Sequence, residues 1–478
     1  MNQTARQQKV LLLGWDGADW KVINPLLDDG KMPNLQRLID GGVMGNLTTL
    51  NPPLSPMLWT SIATGKRPFK HGINGFTEPS PHGGVRPVTN QSRTCRALWN
   101  VMTLQGLTSN VVGWWPSHPA EPVNGVMVSN HYHRASAPVD APWPMRPGTV
   151  YPERLRDRLA DLRFHPQELT AEQILPFVPE AARVDQDNDR RLSMAAKTLA
   201  ECCTVNNAAT ALIQLEPWDF MAVYYDAIDH FSHGFMRYHP PKMNRVSQED
   251  FEIYGTVVEA AYRFHDAMLG TLMQLAGEDT TIMLISDHGF HPDDLRPTSI
   301  PSEPAGPAVQ HRQHGIFVLN GPGIKEDELL YGASLLDVAP TVLTLYGLPV
   351  GEDMDGKPLV EAFEEPPEVE AIPSWDDPEG EDGRHPSEAH FDPHESQELL
   401  QHLVGLGYVD QPPENQEQAA KESLRELHYN SARSYMDANR HLEAAEILEE
   451  VHQAWTDETR FGLQLIQCYN QLGRTEDA

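Results

Sequence analysis

The first 350 residues of this 478-residue chain are predicted to form an α/β sheet with helices on both faces, followed by a small all-α repeat. Two observations predict the sheet. Short apolar runs alternate with longer helical segments, and several of the apolar runs end in small clusters of Asp, His and Gly. A third observation predicts the repeat: Tyr435 and Tyr469, Arg440 and Arg474, and Ala444 and Ala478 form pairs with one common spacing of 34 residues.

Strands are expected over residues 10–13, 110–114, 220–225, 281–286 and 316–319, where apolar and β-branched residues run together between turn formers. Helices are expected over 57–63, 96–104, 190–212, 254–275 and 334–346. A single core rarely grows past about 300 residues, so the chain divides into one large domain, 1–360, and a smaller remainder. Within the large domain, 129–188 is rich in Pro and polar residues and reads as a loop-rich insertion. Residues 361–413 are rich in Pro, Glu and Asp and read as an acidic linker or wrapping arm, and 414–478 as helices of the tetratricopeptide type. The second copy of that repeat stops inside itself, so the array is expected to be incomplete.

The net charge is −32, with 31 Asp and Glu against 8 Lys and Arg beyond Gly351. That balance argues against binding a nucleic-acid backbone, which needs a basic stripe, but it is compatible with a small phosphate ester held by metal ions. Four cysteines are too few for a disulfide scaffold and read as thiols of a reducing compartment. No signal-peptide pattern opens the chain and no apolar run reaches about 18 residues, so a cytoplasmic protein without a membrane span is expected.

In an open α/β sheet ligands bind beyond the carboxyl ends of the strands. Three polar clusters fall there: Gly14-Trp15-Asp16-Gly17, then Asp226 and His230 four apart, then Ser286-Asp287-His288-Gly289. His311 and His314 lie just before another strand. A lone histidine is more often a hydrogen-bonded or surface residue than a ligand. Carboxylates and imidazoles gathered at neighbouring strand ends are what borderline divalent ions require. Ser55 follows a Pro-rich turn and precedes an apolar helix. At a helix N-terminus it is either a plain cap or a hydroxyl beside a ready-made site for phosphate oxygens.

The order Gly-x-Asp-Gly, Ser55 before Trp59-x-Ser-x-x-Thr-Gly, His71-Gly72-Ile73, Asp-x-x-x-His, Asp-His-Gly and His-Gly resembles the alkaline phosphatase superfamily. The branch it is most similar to is the type I phosphodiesterase/nucleotide pyrophosphatase group, over roughly residues 10–359. The resemblance implies a mostly parallel sheet and two divalent metal ions, usually zinc, with manganese or iron as variants. It implies Asp226, His230 and His314 around one ion, and Asp16, Asp287, His288 and Ser55 around the other, with Ser55 as the nucleophile. Asp229, His233 and His311 neighbour these positions and are alternative ligands. Two departures stand out: Ser replaces the usual Thr nucleophile, and Phe76 occupies the place where the family puts an Asn on a phosphate oxygen, with Asn74 two residues early.

The function expected is hydrolysis of phosphodiester or pyrophosphate bonds through a phosphoseryl intermediate. The alternatives are a phosphomonoesterase, phosphonate hydrolase or phosphomutase on the same site, or a tetratricopeptide scaffold with a vestigial enzyme domain. A sulfatase is disfavoured, because Ser55 is followed by Pro56-Met57-Leu58-Trp59 and not by x-Pro-x-Arg. The tail is expected to bind a protein partner and to be dispensable for chemistry.

Overall fold

The computed structural model of the chain describes residues 8–135, 138–385, 393–405 and 407–478, so the first seven residues and parts of the expected insertion and linker lie outside it. Nine strands form one sheet. In chain order they are β1 (Lys9–Trp15), β2 (Gly42–Thr48), β3 (Ser109–Val112), β4 (Gly125–Val128), β5 (Val150–Tyr151), β6 (Phe220–Tyr225), β7 (Thr280–Ile285), β8 (His314–Asn320) and β9 (Glu328–Ser334). Their order across the sheet is β9-β2-β8-β7-β1-β6-β3-β4-β5. β1 pairs parallel with β6 and β7 at the centre, and β3 pairs parallel with β6 and β4.

Five strands were legible as apolar runs; β2, β4, β5 and β9 were not, being short, glycine-containing or half-exposed. The central strands are apolar throughout because helices cover both faces. Val10, Leu11, Leu12 and Leu13 are all essentially inaccessible to solvent, and alternate residues feed two separate cores, Leu11 and Leu13 on one face, Val10 and Leu12 on the other. Each such leucine contributes on the order of 1.5–3 kcal/mol by leaving water.

The topology decides where the chemistry collects. β8 runs antiparallel to both β7 and β2, so its first residue, His314, lies at the same edge as the last residues of β1, β2, β6 and β7. Residues after those four strands, and residues before β8, therefore share one edge of the sheet. β2 delivers helix α1 (Ser55–Thr64) there, and β6 delivers α3 (Ala227–Phe235), which packs against α2 (Arg191–Leu215) and α4 (Val257–Ala276). α1 starts from an extended Leu54, carries Pro56 in its first turn, where a missing N–H costs nothing, and ends at Gly65 in a left-handed cap.

Beyond α5 (Val338–Leu345) the acidic segment lies against the sheet and its helices. The strand pair Val350–Gly351 and Ala371–Ile372 holds it, Asp353 and Asp376 meet Lys66 at 2.5 and 2.7 Å, Asp382 meets Arg96 at 2.7 Å, and Trp375 is buried. Two acidic residues of the segment read as a linker, Asp376 and Asp382, thus answer buried cations of the core. Helices α6 (Pro393–Gly405), α7 (Gln416–Asp437), α8 (His441–Ala454) and α9 (Thr459–Gln471) finish the chain. The last three share a core of Tyr429, Ala432, Ala444, Leu448, Phe461 and Cys468. α7 docks on the sheet domain by stacking Tyr435 on Phe69, with ring centroids 4.2 Å apart. Among the described residues no helix is long and apolar enough to cross a membrane.

Candidate metal centre

Asp16 is the first residue after β1, and Gly17 turns the chain with φ of +74°. A Cβ there would come within 2.9 Å of the Phe290 ring and 3.2 Å of the Asp229 backbone, so only glycine lets the β1 turn lie against α3. Asp16 Oδ2 accepts from Trp59 Nε1 at 3.0 Å and from the Tyr224 hydroxyl at 2.6 Å, while its Oδ1 is buried with no hydrogen-bond partner. Asp287 follows β7. Its Oδ1 accepts from the backbone N–H of His288 at 3.1 Å and of Gly17 at 3.4 Å, and its Oδ2 is buried and unpartnered. His288 turns Nδ1 toward the Gly289 carbonyl, 3.2 Å away, and Nε2 toward Asp16 Oδ1 at 3.3 Å and Asp287 Oδ2 at 3.6 Å.

A second group adjoins the first. Asp229, on α3, accepts from the Tyr408 hydroxyl on Oδ2 at 2.9 Å and leaves Oδ1 buried without a hydrogen-bond partner. His233 Nε2 lies 3.3 Å from that Oδ1, His311 Nε2 3.7 Å and His288 Nε2 3.8 Å. His233 Nδ1 donates to Gln310 Oε1 at 2.6 Å and His311 Nδ1 to the Pro53 carbonyl at 3.1 Å. These carbonyl-type acceptors assign the proton to Nδ1 in each ring, so both Nε2 atoms present lone pairs. They stand only 3.1 Å apart. Two lone pairs at that distance repel unless a proton or a metal ion lies between them.

Each carboxylate therefore has one oxygen held by donors and the other turned, bare, toward bare imidazole nitrogens. The charge balance agrees. Burial opposes a charged imidazole, yet Asp287, Asp16 and Asp229 outweigh it and hold His288 up at about 10. Burial, with Asp16 beside it, pushes Asp287 well above the usual carboxylate range. Asp229 moves the other way: against its burial, His233, His311 and His288 hold its carboxyl below the usual range, so it is on Asp287 and His288 that protons stand in for missing positive charge. The donor set fits two divalent ions: Asp16, Asp287 and His288 converge as one group, and Asp229 and His311 converge with His288 as the next, where His233 Nε2, 3.3 Å from Asp229 Oδ1, could replace the shared His288.

The structure thus gathers Asp16, Asp287 and His288 as the sequence led us to expect, but sets Asp229, His233 and His311 where Asp226, His230 and His314 were expected. Asp226 caps α3 outside the cluster, between His133 (3.6 Å) and His230 (3.9 Å), and those two imidazoles with Arg134 hold its carboxyl far below the usual range against its burial. His314 is in the sheet, paired with Thr48. The reason is a coincidence of spacing. Asp-x-x-x-His occurs twice in overlapping frames, and both frames satisfy the i, i+4 rule of one helix face; only the rotation of α3 against α2 and α4 selects between them.

Ser55 is buried at the first turn of α1, between two braces to the centre: Pro53 receives the His311 hydrogen bond, and Trp59 donates to Asp16. Asn74 bonds the Gly72 carbonyl, and Phe76 stacks on Tyr408 at 4.7 Å, so neither takes the phosphate-oxygen role. Three basic residues considered as a clamp for a monoester, Arg86, Arg296 and Arg312, are engaged elsewhere. Arg86 pairs with Glu78, Arg296 donates to the carbonyls of Met236 and Asp293, and Arg312 grips Asp19. Sequence reasoning missed Tyr224, Gln310 and Tyr408 as supports of the cluster; none belongs to a motif.

Residues 10–299 match the model of the type I phosphodiesterase/nucleotide pyrophosphatase family. Among solved structures the chain is similar to a putative sulfatase from Bacteroides thetaiotaomicron, with 13% identity and a TM-score of 0.47 over 75% of each chain. It is also similar to human ectonucleotide pyrophosphatase/phosphodiesterase 5, with 13% identity and a TM-score of 0.42 over 75% of this chain and 100% of that one. A multiply substituted alkaline phosphatase PafA gives 12% identity and a TM-score of 0.41 over 76% and 100%. No curated protein matches.

Proposed function

We propose that this chain, which belongs to the type I phosphodiesterase/nucleotide pyrophosphatase family, hydrolyses phosphodiester or pyrophosphate bonds at a two-metal centre with Ser55 as nucleophile. The observation that carries this reading is the set of bare, buried ligand atoms of Asp16, Asp229, Asp287 and His288, joined by the facing Nε2 atoms of His233 and His311, beside the helix that Ser55 opens.

When bound, zinc, manganese or iron ions would polarise the phosphoryl group and lower the pKa of the Ser55 hydroxyl. The chain's own part is positioning. Trp59 and Tyr224 fix Asp16, backbone N–H groups fix Asp287, and the Gln310 and Pro53 carbonyl oxygens orient His233 and His311. The positive end of the α1 dipole, where Ser55 sits, favours a phosphate oxygen, although Pro56 has no N–H and those of Met57 and Leu58 are taken by the Leu54 carbonyl. Ser55 Oγ forms a bond to phosphorus as the ester or anhydride oxygen leaves and takes up a proton. Water then attacks the phosphoseryl ester and releases Ser55. Diesters are favoured over monoesters because Arg86, Arg296 and Arg312 have other partners.

The 34-residue spacing and the three closing helices support reading the tail as tetratricopeptide-like, with exposed Leu442, Leu463 and Ile466 on its surface as a contact for a protein partner.

A hydrolysis panel tests the function. Bis(4-nitrophenyl) phosphate, 4-nitrophenyl phosphate, a nucleotide pyrophosphate and a phosphonate are compared with zinc or manganese added. The diester or the pyrophosphate should show the highest kcat/KM; a higher value for the monoester would move the protein to the phosphomonoesterase reading.

A further inference from the structure

We propose that Tyr408, on the C-terminal arm, is a positioning residue of the metal centre, so that the centre is assembled from both the α/β sheet and a segment more than a hundred residues beyond the family-matched region. The inference rests on the reading that Asp229 is a metal ligand.

The arm delivers this side chain by ordinary helix-ending chemistry. α6 stops at Gly405, and Gly407 adopts φ of +79° while donating its N–H to the Val404 carbonyl. The N–H of Tyr408 returns to the Leu403 carbonyl at 3.1 Å, and its own carbonyl accepts from Ala305 N–H at 3.2 Å. The backbone is thus pinned from both sides. The ring is buried at 4% exposure in an apolar group with Leu54, Met57, Phe76 and Leu403, stacked on Phe76 and set edge-on to His233 with centroids 5.5 Å apart. Its hydroxyl points inward and donates to Asp229 Oδ2.

The significance lies in comparison with the other two carboxylates. Asp16 has two side-chain donors on its held oxygen, and Asp287 has two backbone donors. Among the described residues the Tyr408 hydroxyl is the donor that holds Asp229 Oδ2. Without it the carboxylate is free to rotate about its last torsion and to withdraw Oδ1 from His233 and His311. Partners of this kind typically govern 10- to 100-fold in metal affinity. Phe76 standing where the family places a phosphate-binding Asn gains a purpose too: its ring is the platform on which Tyr408 lies.

The test is Tyr408→Phe in the full chain, which keeps the ring and its stacking and removes only the hydroxyl. Zinc affinity is measured by competition with a chromophoric chelator, alongside the melting temperature of the metal-free protein. The expected result is that one of two sites weakens by about 10- to 100-fold while the other site and the metal-free melting temperature are unchanged. Two sites of wild-type affinity in the variant would overturn the proposal, as would a parallel weakening of both with a lowered metal-free melting temperature, which marks a packing role. Wild-type protein that bound no metal would instead remove the ligand reading beneath it.

Discussion

Trp59 Nε1 donates to Asp16 Oδ2 at 3.0 Å, and Trp59 lies one helical turn after Ser55, so a single side chain ties the helix that Ser55 opens to a carboxylate of the candidate metal centre. Its ring also meets Trp114 and Tyr224 edge-on. Trp59→Phe should therefore keep the fold while lowering turnover by about 10- to 100-fold. Steady-state kinetics with added metal, beside a thermal melt, checks this; undiminished turnover would show that Tyr224 alone suffices to hold Asp16.

Ser55→Ala should abolish nearly all turnover, by about a thousandfold or more, and leave both metals bound, because none of the bare ligand atoms belongs to Ser55. Ser55→Thr should retain part of the activity. Elemental analysis of each purified variant beside its kcat separates loss of nucleophile from loss of metal. Wild-type turnover in the alanine variant would place the nucleophile elsewhere.

The two frames of the Asp-x-x-x-His motif make opposite forecasts. Asp229→Asn, His233→Ala and His311→Ala should each reduce bound metal from two ions toward one per chain, since each removes an atom of the converging set. His230→Ala and His314→Ala should keep both ions. Metal content of the folded, monodisperse variants decides, and the reverse pattern would restore Asp226, His230 and His314.

Stability should fall with acid in a way traceable to His71. This imidazole is fully buried, accepts from the Ile73 N–H on Nδ1 and shares its Nε2 proton with Ser61, and burial pushes its pKa down to about 3. The unfolded chain takes up a proton below about pH 6.5, whereas the folded chain does not until about pH 3. The His71 contribution is thus fully present above pH 6.5 and lost between pH 6.5 and 3, at about 1.4 kcal/mol per pH unit. His265, pushed down to about 4 by burial, acts in the same direction. Urea unfolding at pH 7 and pH 5 should show a shallower loss for His71→Gln than for wild type, and equal losses would assign the acid sensitivity to other groups.

What could be read from the sequence follows from local rules. Apolar runs marked the central strands because strands buried on both faces have no polar side to show, and the Asp-Gly and Asp-His-Gly turns after them marked where ligands gather. Ser55 was legible from its place before an apolar helix. Asp16, Asp287 and His288 lie within three residues of a strand's end, so their neighbourhood could be read without resolving a helix rotation.

Tertiary structure decided the rest. Helix α3 offers the i, i+4 pairs Asp226/His230 and Asp229/His233, and which pair faces Asp16 depends on how α3 is turned by α2 and α4. His311 rather than His314 enters the site because β8, whose antiparallel pairing begins at His314, takes that residue into the sheet. Tyr408 meets Asp229 across 179 positions of chain, through an arm whose acidic, Pro-rich composition resembles a linker. Local periodicity reports which face of an element is apolar, whereas the partner of a polar atom depends on packing between distant elements, and at this site that packing brought Asp229, His233 and His311 together.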